Sequence, residues 1–152
     1  MSNTIEGKNI IFYVHDGTDY RPVACLTSNG INVSQEVKES PITKCAPTAT
    51  KKAGALSYEV PFEGQFIDTT SVGGDTAKAS YDWLLNHIKT KNDAGELTNW
   101  KQSIKKSATV TENTYGEGII TSLELTAPAD DFATFSGTLT GNGWISTTDP
   151  LV

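Results

Sequence analysis

Two runs of period-two alternation flank a proline corner in the last third of the chain, and they leave little choice of local structure. Ile119, Thr121, Leu123, Leu125 and Ala127 fall on one face, and Ser122, Glu124 and Thr126 fall on the other. That is the pattern of a half-buried strand. Pro128 ends the run. Ala133, Phe135, Gly137, Leu139 and Gly141 then line one face of a second strand, with Thr134, Ser136, Thr138 and Thr140 on the opposite face. A helix cannot sort residues this way, because its side chains repeat every 3.6 positions. The two runs predict a long antiparallel hairpin with one face built almost wholly of hydroxyls.

Alternation recurs upstream. Residues 8–15 are β-branched and aromatic, Asp16-Gly17-Thr18-Asp19 is a turn and residues 20–27 form a second strand, which together predict a hairpin. After Ser28-Asn29-Gly30, Ile31, Val33, Gln35 and Val37 alternate with Asn32, Ser34, Glu36 and Lys38, so the first 38 residues read as a meander. Periodicity lapses over residues 39–55, a stretch broken by Pro41 and Pro47 and made positive by Lys44, Lys51 and Lys52. A loop of that length in a compact domain is functional or disordered. Leu56, Tyr58, Val60 and Phe62 against Ser57, Glu59 and Glu63 restore the strand pattern.

The one convincing helix opens after Gly73-Gly74, with Asp75 or Thr76 as its N-cap. Ala77, Tyr81, Leu84, Leu85 and Ile88 make a single apolar stripe, Lys89 and Lys91 suit the C-terminal dipole, and Asn92-Asp93-Ala94-Gly95 ends it. Residues 98–103 and 108–112 are weaker strand candidates. The sum is a mainly β fold, an antiparallel sandwich or barrel of seven or eight strands with one packed α-helix. It occupies a single domain, residues 1–152, with arms expected to be flexible at about 1–7 and 147–152.

At 152 residues and 37% hydrophobic, the chain suits one core, and two domains would each be marginal. Its net charge of −6 is unevenly placed. Residues 1–106 hold all 12 Lys and Arg and twelve of the 18 acids, so the excess lies in Glu112, Glu117, Glu124, Asp130, Asp131 and Asp149. Affinity for nucleic acid comes chiefly from Lys and Arg. The acidic balance therefore suits a surface that nucleic acid passes without sticking. No stretch approaches the roughly 18–20 apolar residues of a membrane-spanning helix, so no membrane partner is expected. The N-terminus lacks the basic region and apolar core of a secretory signal. Cys25 and Cys45 lie on opposite sides of a predicted strand and are read as free thiols.

Catalytic chemistry has little to build on. His15 and His87, the only histidines, stand in no metal-binding spacing; His15 reads as a strand-end residue and His87 as a wet helix residue. There is no nucleophile elbow and no phosphate-binding loop. Asp75 would repel an anion from the helix start after Gly73-Gly74. Asp130 and Asp131, as strand neighbours, should point to opposite sides and make a poor acid/base pair. No catalytic residue, cofactor or metal is expected. Trp83, Trp100 and Trp144 would form a sugar-stacking platform if they gathered on one exposed face. Trp83 lies off the helical stripe, which also suits a subunit contact.

The segment Gly116-Glu-Gly-Ile-Ile-Thr-Ser-Leu-Glu-Leu, its corner, and the strand Ala133-Thr-Phe-Ser-Gly-Thr-Leu-Thr-Gly-Asn-Gly143 resemble the C-terminal hairpin of the tail tube (major tail) proteins of long-tailed bacteriophages. The order of strands and helix extends the likeness over most of the chain. The resemblance implies a tail-tube-like fold and a structural virion protein, not an enzyme and without cofactors. In that family six copies close into a ring, and rings stack into the conduit for genome passage. The implied partners are further copies of the chain, with tail terminator, tape measure and tail tip proteins, while DNA traverses the lumen without specific binding. The implied location is the phage tail, after synthesis in the bacterial host cytoplasm.

On these residues the resemblance assigns Lys44, Lys51 and Lys52 to a ring-stacking loop. Asn32, Ser34, Glu36, Ser122, Glu124, Thr134, Ser136 and Thr138 become lumen-facing candidates, with Lys38 departing from that scheme. Trp83, Asp130 and Asp131 become subunit contacts. Tube proteins of contractile injection and type VI secretion systems share the fold, although the Ser-Gly-Thr-Leu-Thr-Gly-Asn-Gly run favours the siphophage-like branch. A carbohydrate-binding β-sandwich is the other alternative.

Overall fold

Alternation becomes strand along most of the chain in a computed structural model that describes residues 4–23, 25–45, 47–68 and 78–151. The strands are β1 (Ile10–His15), β2 (Tyr20–Pro22), β3 (Leu26–Asn29), β4 (Asn32–Glu39), β5 (Lys51–Gln65), β6 (Thr98–Lys105), β7 (Thr111–Thr126) and β8 (Thr134–Ser146), with one helix, α1 (Tyr81–Ala94), before β6. They form a single antiparallel sheet in the order β2-β1-β6-β7-β8-β5-β3, and β4 also pairs with β5.

The expected strand over residues 20–27 is two strands, and the expected meander does not form. Tyr20–Pro22 pairs with β1, whereas Leu26–Asn29 pairs with β5, as β4 does. Between the two, Cys25 adopts a left-handed φ of 54°. The Val23 N–H reaches Phe12 O at 3.0 Å, and the Gln65 N–H reaches Cys25 O at 3.0 Å. One stretch of chain thus bridges two distant strands, and the sheet curls around Phe12, Val14, Val60, Phe62, Phe135 and Leu139. Such curling leaves fewer open edges than a flat sheet.

Aromatic packing sets the centre. Trp100 and Tyr58 are almost fully buried, and the indole N–H of Trp100 donates to the Tyr58 hydroxyl at 3.2 Å. That hydroxyl donates to Glu117 O at 3.0 Å, so every polar atom of the pair has a partner. The Tyr58 ring occupies the place where a Cβ on Gly141 would stand, 2.2 Å from Tyr58 Cζ, and only glycine fits there.

The helix starts after Ser80, whose side chain makes no capping bond, and ends at Gly95, left-handed at φ 67°. The expected caps Asp75 and Thr76, with Gly73, Gly74 and Ala77, lie outside the described residues. The buried stripe runs through Leu84, His87 and the half-buried Tyr81 and Ile88, and leaves Leu85 51% exposed. His87 is therefore not a wet residue. It is 7% exposed, stacks on Trp83 at 4.7 Å, and its Nε2 lies 3.1 Å from Thr98 Oγ1. Burial, reinforced by the nearby Lys91 charge, holds its pKa at about 4.

Candidate functional site

Cross-strand register builds a single wet face from residues far apart in sequence. Residues directly opposite in neighbouring strands project to the same side of a sheet. Ser122 faces Thr138, Glu124 faces Ser136, and Thr126 faces Thr134 across β7 and β8. On the other flank of β8, Thr134, Ser136 and Thr140 face Gln65, Glu63 and Glu59 of β5. Asn32 and Ser34 of β4 then face Glu59 and Ser57. Seven of the eight lumen candidates thereby share one contiguous surface opposite the core, and Glu36 continues the row onto the outer part of β4. Glu59, Glu63, Gln65 and Thr140 belong to that face as well. Their signal was present in the alternation of Glu59 and Glu63 with Tyr58, Val60 and Phe62.

The face is acidic and lacks cations through most of its extent. Glu59, Glu63 and Glu124 project from it, and no Lys or Arg occurs in β7 or β8. Lys38 and Lys52, directly opposite each other, are the exception at the far end.

One bulge alters the expected faces of β7. The register shifts between Ile120 and Ser122, so Thr121 is an extra residue, and its hydroxyl lies 3.2 Å from Thr140 Oγ1. Before the bulge even-numbered residues point inward and Ile120 is 6% exposed; after it the odd-numbered Leu123 is the half-buried one. Ile119, expected on the apolar face, is 56% exposed in the row of Thr140 and Glu59. A bulge inserts one residue and so reverses the alternation on either side of it.

β4 and the first half of β5 form an arm beyond the rest of the sheet. β8 supports β5 only from Glu59 onward, and all eight residues of β4 are exposed. The expected loop at 39–55 is shorter, residues 40–50. Lys51 is already in β5, ion-paired to Glu39 at 3.4 Å, and Lys52 lies opposite Lys38. Ser40 and Thr50 close the base of the loop through their backbones at 2.9 Å. Of the three stacking candidates, only Lys44 stands in the loop itself. A second register shift, between Gln35 and Val37, adds a residue to β5 there and hides its strand character from the sequence. Val33, Val37 and Leu56 on the arm, and Ile42 in its loop, remain 46–70% exposed.

The subunit-contact candidates separate. Asp130 and Asp131 are exposed in the turn between β7 and β8. Trp83 is engaged within its own chain, stacked on His87 and lying under the Arg21 guanidinium at 5.0 Å. The three tryptophans do not form a platform: Trp100 is fully buried, Trp83 is half-buried and Trp144, 47% exposed, packs its ring against Tyr58. The arm expected at 147–152 is held at Asp149, whose carboxylate accepts from the Tyr20 hydroxyl and the Leu151 N–H, each at 2.9 Å. Cys25 and Cys45 are exposed free thiols. Among the described residues no three metal-ligating side chains converge, and no helix is long and apolar enough to cross a membrane.

The phage tail tube protein family matches this chain over residues 4–147. No curated protein matches it. Among solved structures, the chain is similar to one in the virion of a native gene transfer agent particle, with 15% identity, a TM-score of 0.66, and coverage of 96% of this chain and 100% of that one. A chain from the tail of an empty gene transfer agent particle, refined with C6 symmetry, gives 16% identity, TM-score 0.65, and coverage of 96% and 100%. The SPP1 tail tube gives 11% identity, TM-score 0.66, and coverage of 97% and 83%. A chain in the six-fold symmetrised anti-feeding prophage baseplate gives 7% identity, TM-score 0.60, and coverage of 90% and 89%. At these identities the structural likeness speaks to the fold, and the family match over nearly the whole length speaks to kinship. The chain belongs to the phage tail tube protein family, the structural proteins of the phage tail.

Proposed function

We propose that six copies of this chain close into a ring, that rings stack into a tube, and that the wet face of β4, β5, β8 and β7 lines its lumen. The observation that carries this reading is the surface presented by three long strands, dominated by carboxylates and hydroxyls and interrupted only by Pro61, Ile119 and, at the far end, Lys52. A wall of that chemistry repels phosphate and offers it no site to hold, so DNA slides past it. Adjoining sheets from neighbouring copies would bury the open edge of β4. The symmetry of the gene transfer agent tail supports six copies per ring.

The arm supplies the ring-to-ring contact in this reading. Lys44 at its tip and the carboxylates of Asp130 and Asp131 stand at opposite ends of the strand direction, because the β4–β5 loop and the β7–β8 turn lie at opposite ends of β5. Tail terminator, tape measure and tail tip proteins would meet the ends of the tube, after synthesis of the chain in the host cytoplasm. The likeness to the anti-feeding prophage chain favours, as a second reading, the tube of a contractile system. Negative-stain electron microscopy of the purified, concentrated protein tests assembly. Rings or tubes with a central channel are expected, and Lys44→Glu should leave rings but shorten tubes. Monomers that persist even when seeded with tail tip complexes would refute the reading.

A further inference from the structure

We infer that Phe132 is the anchor of a contact between two copies, and that its socket is the groove between the C-terminal half of α1 and β7 of the next copy. This inference rests on the self-assembly proposed above. Phe132 is 75% exposed, the highest value of any large apolar side chain among the described residues. It stands in the turn between β7 and β8, preceded by the exposed Asp130 and Asp131. Its backbone N–H bonds to Asp131 Oδ1 at 2.8 Å, which holds a carboxylate beside the ring. An aromatic ring presented to water on a turn is a cost in an isolated molecule, and buried aromatics are the commonest interface anchors.

The groove has a volume of about 560 Å³ and is lined by Leu85, Ile88, Leu97, Ile119 and Ile120. Leu85 is 51% exposed, so part of this apolar surface is uncovered. Its charged lining is Lys89 and Lys91 against one carboxylate, Glu96. Lys89 pairs with Asp93 at 2.8 Å and Lys91 with Glu96 at 3.1 Å. The Lys89–Asp93 pair is exposed on both sides and contributes little, so Lys89 can turn to an incoming carboxylate at small cost. An apolar socket rimmed by Lys89, whose exposed ion pair with Asp93 can be exchanged for another carboxylate, matches an aromatic knob flanked by Asp130 and Asp131.

The two features cannot meet within one copy. Ile119 precedes the end of β7, Thr126, by about seven residues, roughly 23 Å at 3.3 Å per residue. The contact therefore joins different surfaces of two copies, the heterologous arrangement that closes as a ring or extends as a filament.

Phe132→Cys with Leu85→Cys, in a Cys25→Ser/Cys45→Ser background, should form disulfide-linked oligomers when assembled protein is oxidised with copper phenanthroline, and neither single variant should. Phe132→Ala should reduce sedimenting assemblies at least tenfold, whereas Phe132→Trp retains them, with unchanged circular dichroism in both. If wild-type rings or tubes form and Phe132→Ala assembles equally, the anchor is refuted while the tube reading stands. Loss of assembly without the paired cross-link refutes the socket, as would Phe132 instead gripping a separate tail protein. A wild-type chain that never self-associates overturns both readings.

Discussion

Replacing Tyr58 by Phe removes one oxygen from the core, and two hydrogen bonds go with it. The indole N–H of Trp100, 3.2 Å from that oxygen, loses its acceptor, and Glu117 O, 3.0 Å away, loses a donor. Trp100 is fully buried, so water cannot replace the missing partner. A buried donor left unpaired costs about 1–3 kcal/mol, while the Glu117 carbonyl belongs to an exposed residue and regains part of its loss from solvent. The expected destabilisation is about 2 kcal/mol, which lowers Tm by roughly 4–8 °C in a domain of this size. Urea unfolding and calorimetry would measure it. Adding Trp100→Phe removes the stranded donor, so the double variant should lose about 1–2 kcal/mol less than the sum of the singles. A Tyr58→Phe protein that melts within about 1 °C of the wild type, or a strictly additive cycle, would refute this account of the core.

Three further expectations can be checked alongside it. The folded-state pKa of His87, about 4, lies below its ordinary 6.5, so the unfolded chain takes the proton first. Stability is full above about pH 6.5 and declines by up to ~3 kcal/mol toward pH 4; His87→Gln should flatten that part of a pH-dependent melting curve. Gly141→Ala places a Cβ 2.2 Å from Tyr58 Cζ and should cost about 3 kcal/mol or more, seen as a lowered urea midpoint or loss of soluble protein. Lys52→Glu converts a like-charge pair with Lys38 into an attractive one, so the monomer should gain a few tenths of a kcal/mol by thermal melting. Tube length by electron microscopy should nonetheless fall if the arm's positive charge serves stacking.

The C-terminal hairpin was the most legible element, because β8 alternates without interruption from Thr134 to Gly141 and Pro128 fixes its corner. The hydroxyl row of the candidate lumen was legible for the same reason. In β7 the same logic misplaced Ile119, since Thr121 is a bulge residue and nothing in its identity marks it as one. The arm was missed for a related reason: the register shift near Gly54 breaks the alternation of β5, so residues from Lys51 onward read as loop. His87 looked wet because a polar side chain on a helix usually is; only the proximity of Thr98 and Trp83 makes its burial tolerable.

Local sequence determined which residues are extended, where the last hairpin turns, and the charge asymmetry that leaves β7 and β8 without a cation. Each of these depends on neighbours a few positions apart, and backbone sterics with side-chain periodicity suffice to set them. The tertiary structure decided which strands lie side by side. Register across β7, β8, β5 and β4 assembled Glu124, Ser136, Glu63 and Asn32 into one surface, although they lie up to about a hundred residues apart in sequence. It also placed an exposed Phe132 and an uncovered groove at α1 too far apart to satisfy each other. Pairing between distant strands depends on the whole buried core being satisfied at once, and no local window contains that information.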